Sequence, residues 1–136
     1  MSYSGAVSPL KVSPREAVER DELPTFEFTG AEVVAEIRRL ALRFPDQEAE
    51  CKYVGKDDRP CCIGGRALAN LGVPLSLLIQ AEGTALDTVM SRLRITATQW
   101  QRSWARSTQA NQDNGMAWGR AVSTADFYHS GSAVTA

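Results

Sequence analysis

Four side chains in this chain are of the types that bind metals or attack electrophiles: Cys51, Cys61, Cys62 and a single histidine, His129. Four ligands is the number a structural zinc requires. Their spacing opposes such a site. Adjacent residues on a strand point to opposite faces, so Cys61 and Cys62 converge poorly, and no Cys-x-x-Cys knuckle is present. No metal and no cofactor is therefore expected. As a nucleophile Cys62 is better placed, because it precedes a helix expected to begin near Gly65-Arg66. A helix N-terminus and a neighbouring cation both lower a thiol pKa. A cysteine enzyme would then use Cys62 as nucleophile and His129 as base, with Asn111, Asp113 or Asn114 as orienting group. A cross-strand disulfide from Cys51 to Cys61 or Cys62 is geometrically open if the segment closes evenly. The plainer reading is that these cysteines are small apolar core residues.

A second chemistry is suggested by arginines. Between Thr88 and Gln112 the charged side chains are Arg92, Arg94, Arg102 and Arg106 alone, a local balance of +4, whereas the stretch from Glu16 to Glu50 is rich in acids. Arginines beside tryptophans suggest nucleic-acid binding by phosphate contacts and base stacking. On a helix, however, Trp100 and Trp104 share a stripe from which Arg102 and Arg106 lie about 200° away at 100° per residue. That pattern puts tryptophans in a core and arginines in water. The loop Gly55-Lys-Asp-Asp-Arg-Pro60 lacks the spaced acids of a calcium loop. Its tip, Lys56, Asp57, Asp58 and Arg59, reads as a solvated turn and a candidate contact surface for a partner protein.

The elements that would position these residues are mostly helical. Residues 1–12 read as a flexible arm. Ser13-Pro14-Arg15-Glu16 carries helix-start signals, with Pro24 as the limit of that helix. Thr29-Gly-Ala-Glu32 opens a stronger helix in which Val33, Val34, Ile37, Leu40, Ala41 and Phe44 recur at helical steps until Pro45. A β-hairpin is expected near 51–63, with strands at 51–54 and 61–63. Gly64-Gly65 then releases a short helix ending at Gly72. Further helices are expected over 75–81, from Thr84-Ala-Leu-Asp87, from a capping box Thr96-Ala-Thr-Gln99 to about Asp113, and over 117–128. The tail 130–136 is small and uncharged and reads as flexible. The expected architecture is mainly α: a single domain at 13–129, about five or six short helices around one small β-hairpin.

Composition sets wide bounds. At 136 residues, with 43% hydrophobic and 23% charged residues and a net charge of −1, the chain falls in the ordinary globular range for one domain. The N-terminus lacks a signal-peptide pattern, and no apolar run approaches a membrane span. Three cysteines make no disulfide framework. A cytoplasmic location without membrane association is the expectation.

Two segments, Cys61-Cys-Ile-Gly-Gly-Arg-Ala-Leu-Ala-Asn-Leu-Gly-Val73 and Asn111-Gln-Asp-Asn-Gly-Met-Ala-Trp-Gly-Arg-Ala-Val122, together resemble a group of small uncharacterised proteins from actinobacteria and their bacteriophages. The shared pattern is Cys-x-x-Gly followed by Leu-Gly-Val, then Asn/Gln-Asp-x-Gly-x-x-Trp-Gly. It spans about residues 50–125. The resemblance implies a setting, a small accessory protein of a bacterial or phage-infected cytoplasm, and no activity. It implies folding roles for the matched residues: close packing at Gly64 and Gly65, core positions for Leu68 and Leu71, a helix stop at Gly115 and an anchor at Trp118.

The leading expectation is a non-enzymatic accessory protein acting by protein–protein interaction, with a host or phage factor or with itself as a homo-oligomer. The alternatives are the Cys62/His129 enzyme and a nucleic-acid-binding protein using Arg92, Arg94, Arg102 and Arg106.

Overall fold

The computed structural model describes residues 25–49, 52–55 and 57–130. The expected arm, the helix opening at Ser13, Cys51, Lys56 and the tail from 131 lie outside the described residues. Within them the chain forms six helices: α1 Gly30–Arg43, α2 Ile63–Asn70, α3 Leu75–Gln80, α4 Leu86–Arg92, α5 Gln99–Asp113 and α6 Trp118–Tyr128. The mainly helical expectation holds.

The hub is α5, which touches α1, α2, α4 and α6. Its apolar stripe is narrow but heavy. Trp104 is fully buried, and Trp100 stacks on it with ring centroids 6.1 Å apart and planes 19° apart. Around them pack Val33, Ile37 and Leu40 of α1, Ile63 and Leu68 of α2, Leu86 and Met90 of α4, and Trp118 of α6. These side chains recur at three- and four-residue steps, so each helix turns one stripe inward and the stripes meet on α5. The indole N–H groups of the stacked pair are partnered: Trp104 donates to Asp126 Oδ1 at 2.8 Å and Trp100 to the His129 carbonyl at 2.9 Å. The buried indole N–H of Trp118, by contrast, has no hydrogen-bond partner among the described residues. Asp126 also receives both terminal nitrogens of Arg38, at 2.7 and 2.8 Å, which ties α6 to α1. The Arg38 guanidinium in turn sits 4.7 Å above the Trp104 ring. The ion pair and the indole N–H hold the Asp126 carboxyl below the usual carboxylate range, the Arg38 contact contributing most.

The β-hairpin is a correction. Among the described residues no strand forms; a single antiparallel bridge joins Val54 to Pro60. The backbone is drawn together by Gly55 N–H to Arg59 O, Cys61 N–H to Tyr53 O and Cys62 N–H to Lys52 O. The ladder cannot widen, for three reasons. Pro60 has no N–H to give. The N–H groups of Tyr53 and Val54 are taken by the two carboxylate oxygens of Glu82, at 2.9 and 2.8 Å. Ile63, expected as a strand residue, is already the first residue of α2.

Helix starts and stops refine the expected signals. The capping box exists two residues later than expected, with Thr98 and Gln101 as the reciprocal pair. The chain before α4 is capped by Ala85, not Thr84. Three helices end in the same motif, in which the residue after the cap takes a left-handed conformation. The following N–H then reaches back to the third-from-last carbonyl: Val73 N–H to Leu68 O, Ile95 N–H to Met90 O and Met116 N–H to Asn111 O. Gly72 and Gly115 occupy the left-handed position in two of them. In the third it is Arg94, at φ 59°. A side chain there crowds the carbonyl that follows, at a cost of about 1–2 kcal/mol per residue.

Arg94→Gly is therefore expected to raise stability by about 0.5–1 kcal/mol, the relief of strain being partly offset by glycine's greater freedom in the unfolded chain. Urea denaturation of the two proteins, with equal m-values, measures it.

Candidate functional site

The region around Cys62 is built by three elements. Cys62 caps α2, its sulfur accepting the Gly65 N–H at 3.3 Å. The other exposed ends of that first turn meet side chains from the last turns of α5. Gln112 Oε1 accepts the Ile63 N–H at 2.8 Å, and Gln109 Oε1 accepts the Gly64 N–H at 2.9 Å. The amide nitrogens of both glutamines then donate to one oxygen of Asp113, at 2.8 and 2.9 Å. Three N–H groups that a helix start leaves without partners are thus satisfied by protein.

The two glycines of this turn are needed because the approach is close. A Cβ on Gly65 would lie 2.6 Å from the Tyr53 carbonyl oxygen, and one on Gly64 would lie 2.6 Å from Gln109 Oε1. They sit inside the first turn of α2, one residue or more later than its start, and admit the neighbouring backbone and amide.

Above this turn opens a cleft of about 380 Å³, lined among others by Lys52, Tyr53, Cys62, Thr84, Arg106 and Asp113. Its electrostatics decide its chemistry. Burial pushes the Cys62 thiol up to about 12, and the Gly65 N–H opposes this only in part. Cys62 is 1% exposed. The helix start that would activate an accessible thiol here is outweighed by desolvation. Burial also raises Asp113, and desolvation raises the Tyr53 hydroxyl, which donates to the Thr84 carbonyl at 2.6 Å. The cleft holds a neutral thiol, an acid bound by two amides and a phenol bound to a carbonyl.

His129 is elsewhere. Its Nε2 lies 2.9 Å from Ser107 Oγ, and its ring meets Trp100 edge-on at 6.4 Å. Among the described residues no hydrogen bond joins it to Cys61 or Cys62. The Ser107–His129 contact is no substitute for that pair, because the nearby carboxylate of Asp126 is committed to Arg38 and Trp104. Of the expected orienting residues Asp113 does line the cleft with Cys62, but its carboxylate is held by Gln109 and Gln112. Asn111 donates to the Ala121 carbonyl at 3.1 Å, and Asn114 caps the end of α5. Among the described residues no group of three His, Cys, Asp or Glu side chains is placed to hold a metal.

The arginine candidates lie along α4 and α5. Arg92, Arg94 and Arg106 are exposed and Arg102 is half-buried. Arg106 faces Asp87 at 3.7 Å. The tryptophans that would have stacked on bases are in the core. At the turn tip, Asp57, Asp58 and Arg59 are exposed, with Arg59 3.7 Å from Asp57, so the tip largely neutralises itself. No described helix is long and apolar enough to cross a membrane.

A different surface was not anticipated. Leu42 on α1 is 84% exposed, and Phe127 on α6 is 75% exposed. Leu42 lines a groove of about 450 Å³ between the two helices, together with Ala41, Pro45, Gly119, Val122 and Ser123 and with the Arg38–Asp126 pair at one end, whereas Phe127 packs edge-on against Tyr128. Leu42 did carry a signal. It stands outside the buried stripe of its helix, between Arg39 and Arg43, where a leucine has no core to enter. Gln109 and Gln112 carried none, since a glutamine on a helix reads as solvated. No family model, characterised protein or solved structure matches the chain.

Two outcomes follow. Gln112→Ala should lower stability by about 1–3 kcal/mol, because the Ile63 N–H is left buried without an acceptor; chemical denaturation reads this. Alkylation of Cys62 by iodoacetamide at pH 8 should be limited by opening of the fold, since almost no thiolate exists there, and should accelerate in sub-denaturing urea. Mass spectrometry of the labelled peptide, with Cys61 as internal reference, follows it.

Proposed function

We propose that this protein is a non-enzymatic accessory protein that acts by binding another protein, and that the contact is the groove between α1 and α6. The observation that carries this reading is the apolar lining of that groove together with Leu42, one of its lining residues, at 84% exposure. A large exposed apolar side chain on the wall of a concave apolar surface marks interaction sites more often than it marks ordinary surface. Two antiparallel helices form a trough that receives a third, so the occupant is an amphipathic helix presenting an apolar stripe.

Charge argues for a partner with acidic flanks. The groove's own acid, Asp126, is neutralised by Arg38, while Arg43 and Arg120, next in sequence to Leu42 and Gly119, form no ion pair among the described residues. A second copy of the chain would bring those arginines against their own kind, which disfavours self-association through this face. The bacterial or phage setting of such an accessory role rests on the resemblance of the Cys61–Val73 and Asn111–Val122 segments. The turn tip at Asp57–Arg59 is the weaker contact surface, because its charges pair locally and it offers no apolar anchor.

The cysteine-enzyme alternative is disfavoured by the buried thiol and the separate engagement of His129. The nucleic-acid alternative retains exposed Arg92, Arg94 and Arg106 but has lost its stacking residues to the core.

The test is a quantitative capture from bacterial lysate with three baits: wild type, Leu42→Glu, and Asp57→Ala/Arg59→Ala. Leu42 is exposed, so its substitution should leave the fold intact. A partner held by the wild type and the turn variant, and reduced at least about tenfold with Leu42→Glu, is expected for an anchor residue of an interface. Identical capture by all three baits, or loss only in the turn variant, refutes the groove as the contact. Sedimentation of the wild type should show a monomer.

A further inference from the structure

At the junction of α1, α2 and α6 two arginines share one aromatic ring. The Arg43 guanidinium carbon lies 5.5 Å from the centre of the Phe44 ring, and that of Arg66 lies 5.3 Å from the same centre. Arg66 also lies 5.6 Å from the ring of Trp118, which meets Phe44 edge-on at 6.4 Å. We infer that Arg43 and Arg66 form an oxyanion-binding site that takes a phosphate-class dianion.

The charge pattern around them supports this. The α1–α2 face carries Arg39, Arg43 and Arg66, with Glu36 as its acid. Glu36 is already committed: Arg39 reaches both its oxygens at 2.9 and 2.7 Å, and Asn70 donates to one of them at 2.8 Å. Asp46 and Glu48, which follow α1, form no ion pair with Arg43 or Arg66 among the described residues. Two guanidiniums thus lie within 5.5 Å of the centre of one phenylalanine ring, and neither forms an ion pair among the described residues. Arginines packed on a protein surface usually meet an acid, as Arg38 meets Asp126 and Arg39 meets Glu36 here. These two meet rings instead.

That arrangement favours an external anion on physical grounds. A guanidinium lying over a ring face is partly desolvated and restricted in orientation, so less freedom is lost when it grips a ligand. Its N–H groups remain available in the plane, the geometry that matches two oxygens of a phosphate. A dianion neutralises both cations at once, whereas chloride or a single carboxylate leaves one in excess. The ligand is either a free phosphate or a phosphate carried on a peptide side chain, and both present the same group.

The experiment is a ¹H–¹⁵N NMR titration of the full chain, following the arginine Nε–H signals, with sodium phosphate against sodium chloride at equal ionic strength and pH 7. A short phosphoserine peptide forms a further arm. Saturable shifts confined to Arg43, Arg66 and their neighbours are expected with phosphate and absent with chloride. Arg43→Gln should weaken binding about tenfold, the loss of one charge-assisted contact. Arg66→Lys, which keeps the charge and tests the site even if Arg66→Gln fails to fold, should weaken it several-fold by losing the planar fork. Tighter binding of the peptide assigns the phosphate to a protein partner, and tighter binding of inorganic phosphate assigns it to a small molecule. Non-saturating shifts, equal shifts with chloride, or unaltered affinity in Arg43→Gln and Arg66→Lys would each overturn the site. Leu42→Ala, which removes the groove's apolar anchor without adding charge beside Arg43, should bind phosphate as the wild type does, so failure of the groove and failure of the anion site are distinguishable.

Discussion

The rest of the structure depends on the way the start of α2 is held by the end of α5. Gln109 and Gln112 accept the N–H groups of Gly64 and Ile63 and pass their own N–H groups to Asp113, so the start of α2 is closed by one side-chain network anchored on the last turns of α5. Such a network is rigid only when every member is satisfied, because an unpaired buried donor costs more than a made hydrogen bond returns. The glycines of α2 follow from this constraint, since a methyl on Gly64 would strike the Gln109 amide. So does the fate of Cys62, whose sulfur completes the same turn from beneath and is buried by the amides that close it.

The network explains why the most chemically suggestive segment of the chain carries no chemistry there. A helix start with free N–H groups attracts anions and activates thiols. Here those N–H groups are occupied by side chains, and the thiol is driven to a neutral form by burial. What would be a reactive site in an open structure is a joint in this one. The features that remain for function lie on the outside: an apolar trough between α1 and α6, and arginines over Phe44 whose charges meet no acid among the described residues.

The same contrast runs through the aromatic residues. Trp100 and Trp104 form a stacked pair in the core, and each spends its indole N–H on the end of α6. His129 belongs to this closure, bound to Ser107 and covering Trp100. A histidine and two tryptophans that could signal catalysis or base stacking are thereby used to fasten the last helix.

Much of the helical plan was legible in the chain. The stripe Val33, Ile37, Leu40 predicts α1 because apolar side chains at helical steps can only be buried together on one face, and Pro45, Gly72 and Gly115 mark their stops through fixed φ and left-handed backbone. The off-stripe Leu42 and the angular separation of arginines from tryptophans on α5 were likewise readable, since both follow from local periodicity. The absence of a strand pair at 51–63 was not readable, because it turns on Glu82, distant in sequence, taking the N–H groups of Tyr53 and Val54. Nor was the burial of Gln112 or the protonation of Cys62. Periodicity is a property of neighbours along a helix, whereas hydrogen-bond partners and desolvation are properties of whatever the fold brings alongside, and only the tertiary structure decides those.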